Sequence, residues 1–269
     1  MGIEVFNRYE KKFMLNHATF QEIQRRFEEH MEMDEFNKAN GIYTVSNIYY
    51  DTPDNELIYR SLAKPLYKEK LRLRAYGVPK STAKGYLEIK KKYKGLVNKR
   101  RTSMTIEEAK AFIATGIKPE EKSYHNKQVI NEIDFFIKRY TLQPALYIAY
   151  DRTAYFSKQS RDLRITFDNN IRTRRYDLTL EAGDHGDLLM DCEHHLMEIK
   201  AENTFPLWLS HMLAEMEIYP ISFSKYGTEF KEYEQNNLNV NKSNIYYQGE
   251  NQLCLNHFFQ PQQPQPLYL

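Results

Sequence analysis

Five short stretches of this chain divide their side chains by charge with a period of two. In Lys70-Leu71-Arg72-Leu73-Arg74 one face of an extended chain is wholly basic and the other wholly apolar. Glu88, Lys90 and Lys92 alternate with Leu87 and Ile89 in the same way. Arg164, Thr166 and Asp168 alternate with Ile165 and Phe167, and Glu198 and Lys200 with Met197 and Ile199. Near the N-terminus Arg8, Glu10 and Lys12 stand opposite Tyr9 and Phe13. Because successive strand residues point to opposite faces, each stretch is a strand with one ionic and one apolar side.

A half-exposed antiparallel sheet also alternates, and any one of these strands reads most simply that way. Together they read differently. Their polar faces carry nine basic residues (Arg8, Lys12, Lys70, Arg72, Arg74, Lys90, Lys92, Arg164, Lys200) and four acidic ones (Glu10, Glu88, Asp168, Glu198). That is a net +5 in a chain whose total is +2, so the remainder carries −3. Like charges on neighbouring strands repel unless an anion lies between them. The apolar faces need cover, and amphipathic helices are available to supply it. The expectation is an α+β fold: a closed antiparallel β-barrel with a charged lumen and helices packed outside. Such a lumen suits a long, thin anion, since Arg and Lys bind phosphate oxygens strongly where water is partly excluded. The interleaved carboxylates would repel phosphate, which points to Mn²⁺ or Mg²⁺ as a companion.

The rest of the chain supplies the other elements. Periodicity predicts strands over about 5–15, 42–51, 66–76, 85–93, 98–104, 145–156, 162–169, 172–180 and 187–201. It predicts helices over about 17–30, 55–62, 107–114, 126–140, 206–217 and 228–235. Thr105 followed by Glu108 resembles a capping box. The tunnel domain is expected over 1–235, with 236–269 as a partly disordered extension ending in a Pro/Gln-rich tail. Two cysteines, Cys192 and Cys254, are too few for a disulfide framework and fit a reducing compartment. With no apolar run near the roughly 20 residues a membrane helix needs, the chain reads as cytoplasmic, and a membrane-protein partner is left open. A net charge of +2 implies no nucleic-acid partner from bulk charge.

The chain resembles the polyphosphate polymerase domain of the vacuolar transporter chaperone (VTC) family, within the triphosphate tunnel metalloenzymes. The resemblance runs from about Phe6 to Phe230. It rests on Arg8-Tyr9-Glu10-Lys11-Lys12-Phe13, Ile48-Tyr49-Tyr50-Asp51-Thr52, Lys70-Leu71-Arg72-Leu73-Arg74, Leu87-Glu88-Ile89-Lys90, Lys99-Arg100-Arg101, Tyr150-Asp151-Arg152, Leu163-Arg164-Ile165-Thr166, Glu198-Ile199-Lys200 and Ser224-Lys225-Tyr226. Arg8 stands where tunnel metalloenzymes generally carry the first Glu of Glu-x-Glu-x-Lys. The resemblance implies transfer of the γ-phosphoryl group of ATP to a growing polyphosphate chain. Lys12, Arg72, Arg74, Lys90, Arg152, Arg164, Lys200 and Lys225 would hold phosphates and offset transition-state charge. Arg8, Lys70, Lys99 and Arg101 would add to the anion site. Glu198 would lead the metal ligands, with Glu10 and Glu88 as helpers. Phosphoryl transfer of this kind relies on positioning and electrostatics, so no nucleophilic side chain is expected.

Two placements are open in the pattern. Lys99, Arg100 and Arg101 are consecutive, and Lys99 with Arg101 are favoured for the inward phase. Arg152 shares its phase with Leu146, Ile148 and Tyr150, which look outward, so it turns inward only across a bulge. Cys192, His194 and His195 match no standard zinc spacing and read as a strand-edge polar cluster. Asp51 and Asp54 read as turn and helix-cap residues. Tyr49, Tyr50 and Tyr147 read as core packing rather than base stacking. No Gly-rich phosphate loop is present. Two other functions compete: hydrolysis of tripolyphosphate or nucleoside triphosphate in the same tunnel, and a non-catalytic sensor for polyphosphate or inositol polyphosphate. Carboxylates on the basic face argue against the sensor, since a passive anion binder gains little from them.

Overall fold

In the computed structural model of the protein, residues 9–94, 96–120, 123–202 and 204–239 are described. Chain order is β1 (Tyr9–Asn16), α1 (His17–Phe27), β2 (Met31–Met33), α2 (Glu35–Asn40), β3 (Tyr43–Asp51), α3 (Glu56–Leu62), β4 (Tyr67–Tyr76), β5 (Lys84–Tyr93) and β6 (Leu96–Thr105). Then follow α4 (Ile106–Thr115), α5 (Tyr124–Arg139), β7 (Gln143–Ser157), β8 (Arg164–Arg174), β9 (Asp187–Leu188), β10 (His194–Ala201) and α6 (Leu207–Glu215). A last helix, α7, covers 225–239. The chain divides into two compact units at Thr228/Glu229, and the first holds every strand. In the second, the rings of Phe230 and Tyr233 lie 6.4 Å apart.

The alternating strands form one antiparallel sheet in the order β1-β10-β8-β7-β3-β4-β5-β6, with β2 on β7 and β9 on β8. Its apolar face carries two cores. Leu71, Leu73, Leu87, Ile89 and Tyr147 pack beneath Ile106, Phe112, Ile130, Ile133 and Phe136 of α4 and α5. Phe13, Leu15, Ile165, Phe167, Met197 and Ile199 pack beneath Ile23 and Phe27 of α1 and Leu209 and Met212 of α6. Each such side chain contributes about 1.5–3 kcal/mol when fully buried, so the helices supply the cover the strands require. The contact is close at Gly85: a Cβ there would stand 2.5 Å from Ile106 Cδ1. Thr105 and Glu108 form the expected capping box at the start of α4.

The expected closure of the barrel is not found. β1 and β6 end the sheet and do not pair with each other. Part of the free edge of β1 is already engaged, because Ile221 N–H donates to Lys12 O at 2.7 Å. The sheet nevertheless curls. Lys90 of β5 lies within range of the charges of Glu10 and Lys12 on β1 and of Glu198 and Lys200 on β10. Other boundaries also differ. The expected strands 162–169 and 172–180 are one strand, β8, bulged at Asn170 (φ 48°) and ending at Arg174. The stretch 187–201 is two strands rather than one, and β2 and α2 have no counterpart among the expected elements. The expected strand residues before Tyr9, and the Pro/Gln tail, lie outside the described residues.

The charged face as a candidate anion and metal site

The charged face draws on strands from both arms of the sheet. β4 contributes Lys70, Arg72 and Arg74, while Leu71 and Leu73 are buried on its other side. Arg72 donates to Glu88 Oε2 at 2.7 Å and to Tyr49 Oη at 3.1 Å. Arg74 donates to Asn47 Oδ1 at 3.1 Å and to Tyr150 Oη at 3.0 Å. Lys99 of β6 reaches Glu88 Oε1 at 2.9 Å, and Arg101 lies over the Tyr86 ring at 5.0 Å. Lys99 and Arg101 therefore share the face of Glu88. Arg100 points the other way, to Glu132 of α5 at 3.3 Å.

Glu88 shows how the face is balanced. Burial works against its ionisation, yet the charges of Arg72, Arg74 and Lys99 outweigh burial and hold its carboxyl well below the usual range. Removal from bulk water pushes Lys99 down to about 7, helped by Arg72 and Arg74. Lys70 is pushed down to about 8 by burial and by Lys68 and Lys90. Burial is the first cause for both ammoniums, and an anion bound beside them would favour their charged forms.

The other arm carries β1, β10, β8 and the end of β7. Lys12 Nζ stands 4.0 Å from Glu10 and 3.9 Å from Glu198, and donates to Phe223 O at 2.9 Å. Glu198 also meets Lys200. Burial opposes its charge, but Lys200, Lys12 and Arg152 hold its carboxyl well below the usual range. Arg152 grips Asp168 through two bonds, Nε to Oδ1 at 2.6 Å and Nη2 to Oδ2 at 2.8 Å. Lys225, from α7, donates to Asp168 Oδ2 at 2.6 Å and lies 4.3 Å from the Tyr150 ring centre. Tyr150 is 3 % exposed. Burial raises its hydroxyl, but Arg74, Arg152 and Lys225 together bring it down to about 8.

Arg152 reaches this face without the phase shift the pattern demanded. Leu146, Ile148, Tyr150 and Arg152 all lie on the charged side, while Tyr147 and Ala149 fill the outer core. The bulge is in β8 instead, and it turns Arg172 outward onto Asp151 (3.0 Å) and Arg174 onto the Tyr147 ring. Arg164 sits toward the sheet's end, 3.6 Å from Asp34 and over Phe156. Arg8 lies outside the described residues.

Residues weighed for other roles have local tasks. Asp51 accepts from Leu57 and Ile58 N–H at the start of α3 and from Tyr226 Oη at 2.8 Å. Tyr50 and Tyr147 are core residues, whereas Tyr49 serves Arg72. His195 is hydrogen-bonded to His17 at 3.1 Å and stacked on Phe20, and Cys192 is an exposed free thiol. Asn47, Tyr150 and Asp168 belong to the face but stood outside the set of anion and metal ligands read from the sequence. Asp168 was visible in the alternation, and Asn47 had no signal beyond its phase.

Among the described residues, no three His, Cys, Asp or Glu side chains converge as a ready-made metal cluster. Magnesium-like ions need only one or two carboxylates when substrate phosphates complete the shell. Glu198 and Glu10 meet that requirement: both are oxygen donors beside Lys12, and the buried Thr166 Oγ1, in register with Glu198, has no hydrogen-bond partner. Glu88 and Glu198 are both ringed by cations, but Glu198 shares Lys12 with a second carboxylate, Glu10, whereas the ion pairs of Glu88 are with Arg72, Arg74 and Lys99 alone, so Glu88 fits less well.

The VTC domain family model matches residues 7–233. The chain belongs to the VTC domain family. Among solved structures, it is similar to a candidate adenylate cyclase of Bacillus halodurans, with a TM-score of 0.50 and 15 % identity over 83 % of this chain and 96 % of that one. It is also similar to a Hippeastrum protein described as a candidate adenylyl cyclase with a dominant triphosphatase activity, at TM-score 0.45 and 17 % identity over 81 % and 92 %. The first supports the same fold for this VTC domain. A search of curated proteins finds no match. No helix among the described residues is long and apolar enough to cross a membrane.

Proposed function

We propose that this VTC domain is a metal-dependent polyphosphate polymerase. It would transfer the γ-phosphoryl group of ATP to a growing polyphosphate chain held in a basic channel between the arms of the sheet. The observation that carries this reading is the collection of Lys12, Arg72, Arg74, Lys90, Arg152, Lys200 and Lys225, from six elements, on one face. No single carboxylate compensates this set, and several of its members already bend toward shared partners. Arg72, Arg74 and Arg152 are oriented before substrate arrives, which lowers the cost of binding and of transition-state charge. Lys90, Lys200 and Lys12 would neutralise the phosphates facing them across the channel. Glu198, with Glu10, would hold Mn²⁺ or Mg²⁺. Such an ion would offset phosphate charge and polarise the phosphoryl group. No side chain on this face needs to act as a nucleophile, because the terminal phosphate of the chain is one.

The test is to incubate the purified protein with ATP and Mn²⁺ and resolve the products by size. Long polyphosphate with ADP is the expected result. Orthophosphate without chains would identify a hydrolase. Unchanged ATP with tight polyphosphate binding would identify a sensor.

A further inference from the structure

One end of the charged face is aromatic. Tyr43 begins β3, Tyr76 ends β4 and Tyr86 lies near the start of β5; Tyr76 and Tyr86 share the parity of the cations on their strands, and Tyr43 that of Asn47 and Tyr49, which accept from Arg74 and Arg72. Their rings form a connected group: Tyr43–Tyr76 at 5.7 Å and Tyr76–Tyr86 at 6.0 Å. Phe36 of α2 closes on the first two, 5.0 Å from Tyr43 and 5.9 Å from Tyr76. Core aromatics in this protein are buried, yet Phe36 is 49 % exposed and Tyr76 is 42 % exposed.

These rings adjoin the phosphate-binding candidates directly. Tyr43 is the cross-strand neighbour of Arg152, and Tyr86 that of Arg74. Tyr76 lies two residues beyond Arg74 on the same strand, a step of about 7 Å. Arg101 and Lys84 stand over the Tyr86 ring at 5.0 and 5.5 Å. At the opposite end the same strands carry Lys68, Lys70, Lys90 and Lys92, and that end has no comparable exposed aromatic group on this face among the described residues.

We propose that Phe36, Tyr43, Tyr76 and Tyr86 form a stacking subsite for the base of a nucleoside triphosphate. This deepens the proposed function and rests on its reading of the basic face. A ligand whose phosphates lie on Arg74 and Arg152 has its nucleoside at the tyrosines, and its phosphates run toward the lysine end. That polarity places ATP at the aromatic end and sends the growing chain out past Lys70, Lys90 and Lys92. Stacking on rings accepts any base, so the subsite separates nucleotides from bare phosphate chains rather than one base from another.

The experiment measures binding of a non-hydrolysable ATP analogue and of inorganic tripolyphosphate, each with Mg²⁺, by calorimetry. It uses the full chain, Tyr76→Ala, Phe36→Ala and Tyr76→Trp. The alanine variants are expected to bind the analogue about tenfold more weakly, equal to about 1.4 kcal/mol, and tripolyphosphate as the parent does. Tyr76→Trp keeps a stacking ring and should retain nucleotide affinity, which a general folding defect would not allow. Equal weakening toward both ligands, or no weakening toward either, overturns the subsite. A parent that binds tripolyphosphate as tightly as the analogue overturns it too, while leaving the basic face intact. A parent that binds neither ligand overturns the basic-face reading and the subsite with it. Loss of binding to a single-stranded oligonucleotide without loss of the ATP analogue would instead make the rings a nucleic-acid contact.

Discussion

Lys225 Nζ meets Asp168 Oδ2 at 2.6 Å across 57 residues of sequence, and Arg152 holds the same carboxylate through both of its oxygens. Asp168 is fully buried, so it is the fixed counter-charge for two cations of the basic face. Asp168→Ala should cost about 3–5 kcal/mol in denaturant unfolding, because two buried cations lose their partner. Lys225→Met leaves Arg152 in place and should cost far less stability while weakening tripolyphosphate binding. A fully stable Asp168→Ala protein would contradict the compensating role.

The same pair sets an acid limit. Burial alone would raise the Asp168 carboxyl, but Arg152 and Lys225 lower it from 3.8 to about 2. A carboxyl depressed by folding stabilises fully above its unfolded value and loses that contribution as pH falls through the folded one. Between about pH 4 and pH 2 the protein should therefore lose about 2 kcal/mol through this group. Glu88 and Glu198 are displaced in the same direction and steepen the fall. Asp168→Asn should flatten the lower part of the unfolding-free-energy curve, and an unchanged slope would be the contrary result.

The depressed lysines give a binding signature of opposite sign. In the free protein Lys99 sits at about 7 and Lys70 at about 8, so both are partly neutral near pH 8. A bound polyanion favours their charged forms and raises both values. Binding should then take up protons near pH 8 and very few near pH 5.5, where both are already charged. Calorimetry in two buffers of different ionisation enthalpy measures the uptake directly. Lys99→Met should remove part of it. Equal uptake at both pH values would contradict the assignment.

Much of this face was readable because a period of two is local. Lys70, Arg72 and Arg74 declare their common side within five residues, as do Glu88 and Lys90. What failed depended on partners far along the chain. Closure was expected from the charge pattern, but Ile221 N–H donates to Lys12 O at the edge of β1, and nothing near Lys12 announces it. Arg152 was misphased because Leu146 and Ile148 are apolar and yet lie on the charged side, where they are buried. The link between Asp51 and Tyr226 spans 175 residues. Tyr43, Tyr76 and Tyr86 carried no signal among 21 tyrosines until the strand register placed them side by side.

Two glutamates of this face should behave oppositely when neutralised. Glu88 is 1 % exposed and ringed by Arg72, Arg74 and Lys99, so its charge works within the protein. Glu88→Gln should lower stability by about 2 kcal/mol, as expected for lost charged hydrogen bonds, and leave the Mn²⁺ dependence of turnover unchanged. Glu198 lies beside Glu10, Lys12 and the unpartnered Thr166 hydroxyl, where an oxygen-seeking ion has donors. Glu198→Gln should keep the fold, raise the Mn²⁺ needed for half-maximal turnover by at least about tenfold, and weaken direct Mn²⁺ binding to match. Glu198→Asp, which retains the carboxylate, should recover part of both. Parental Mn²⁺ dependence in Glu198→Gln, or a shifted one in Glu88→Gln, would move the ion from the Glu198 side of the face to the Glu88 side.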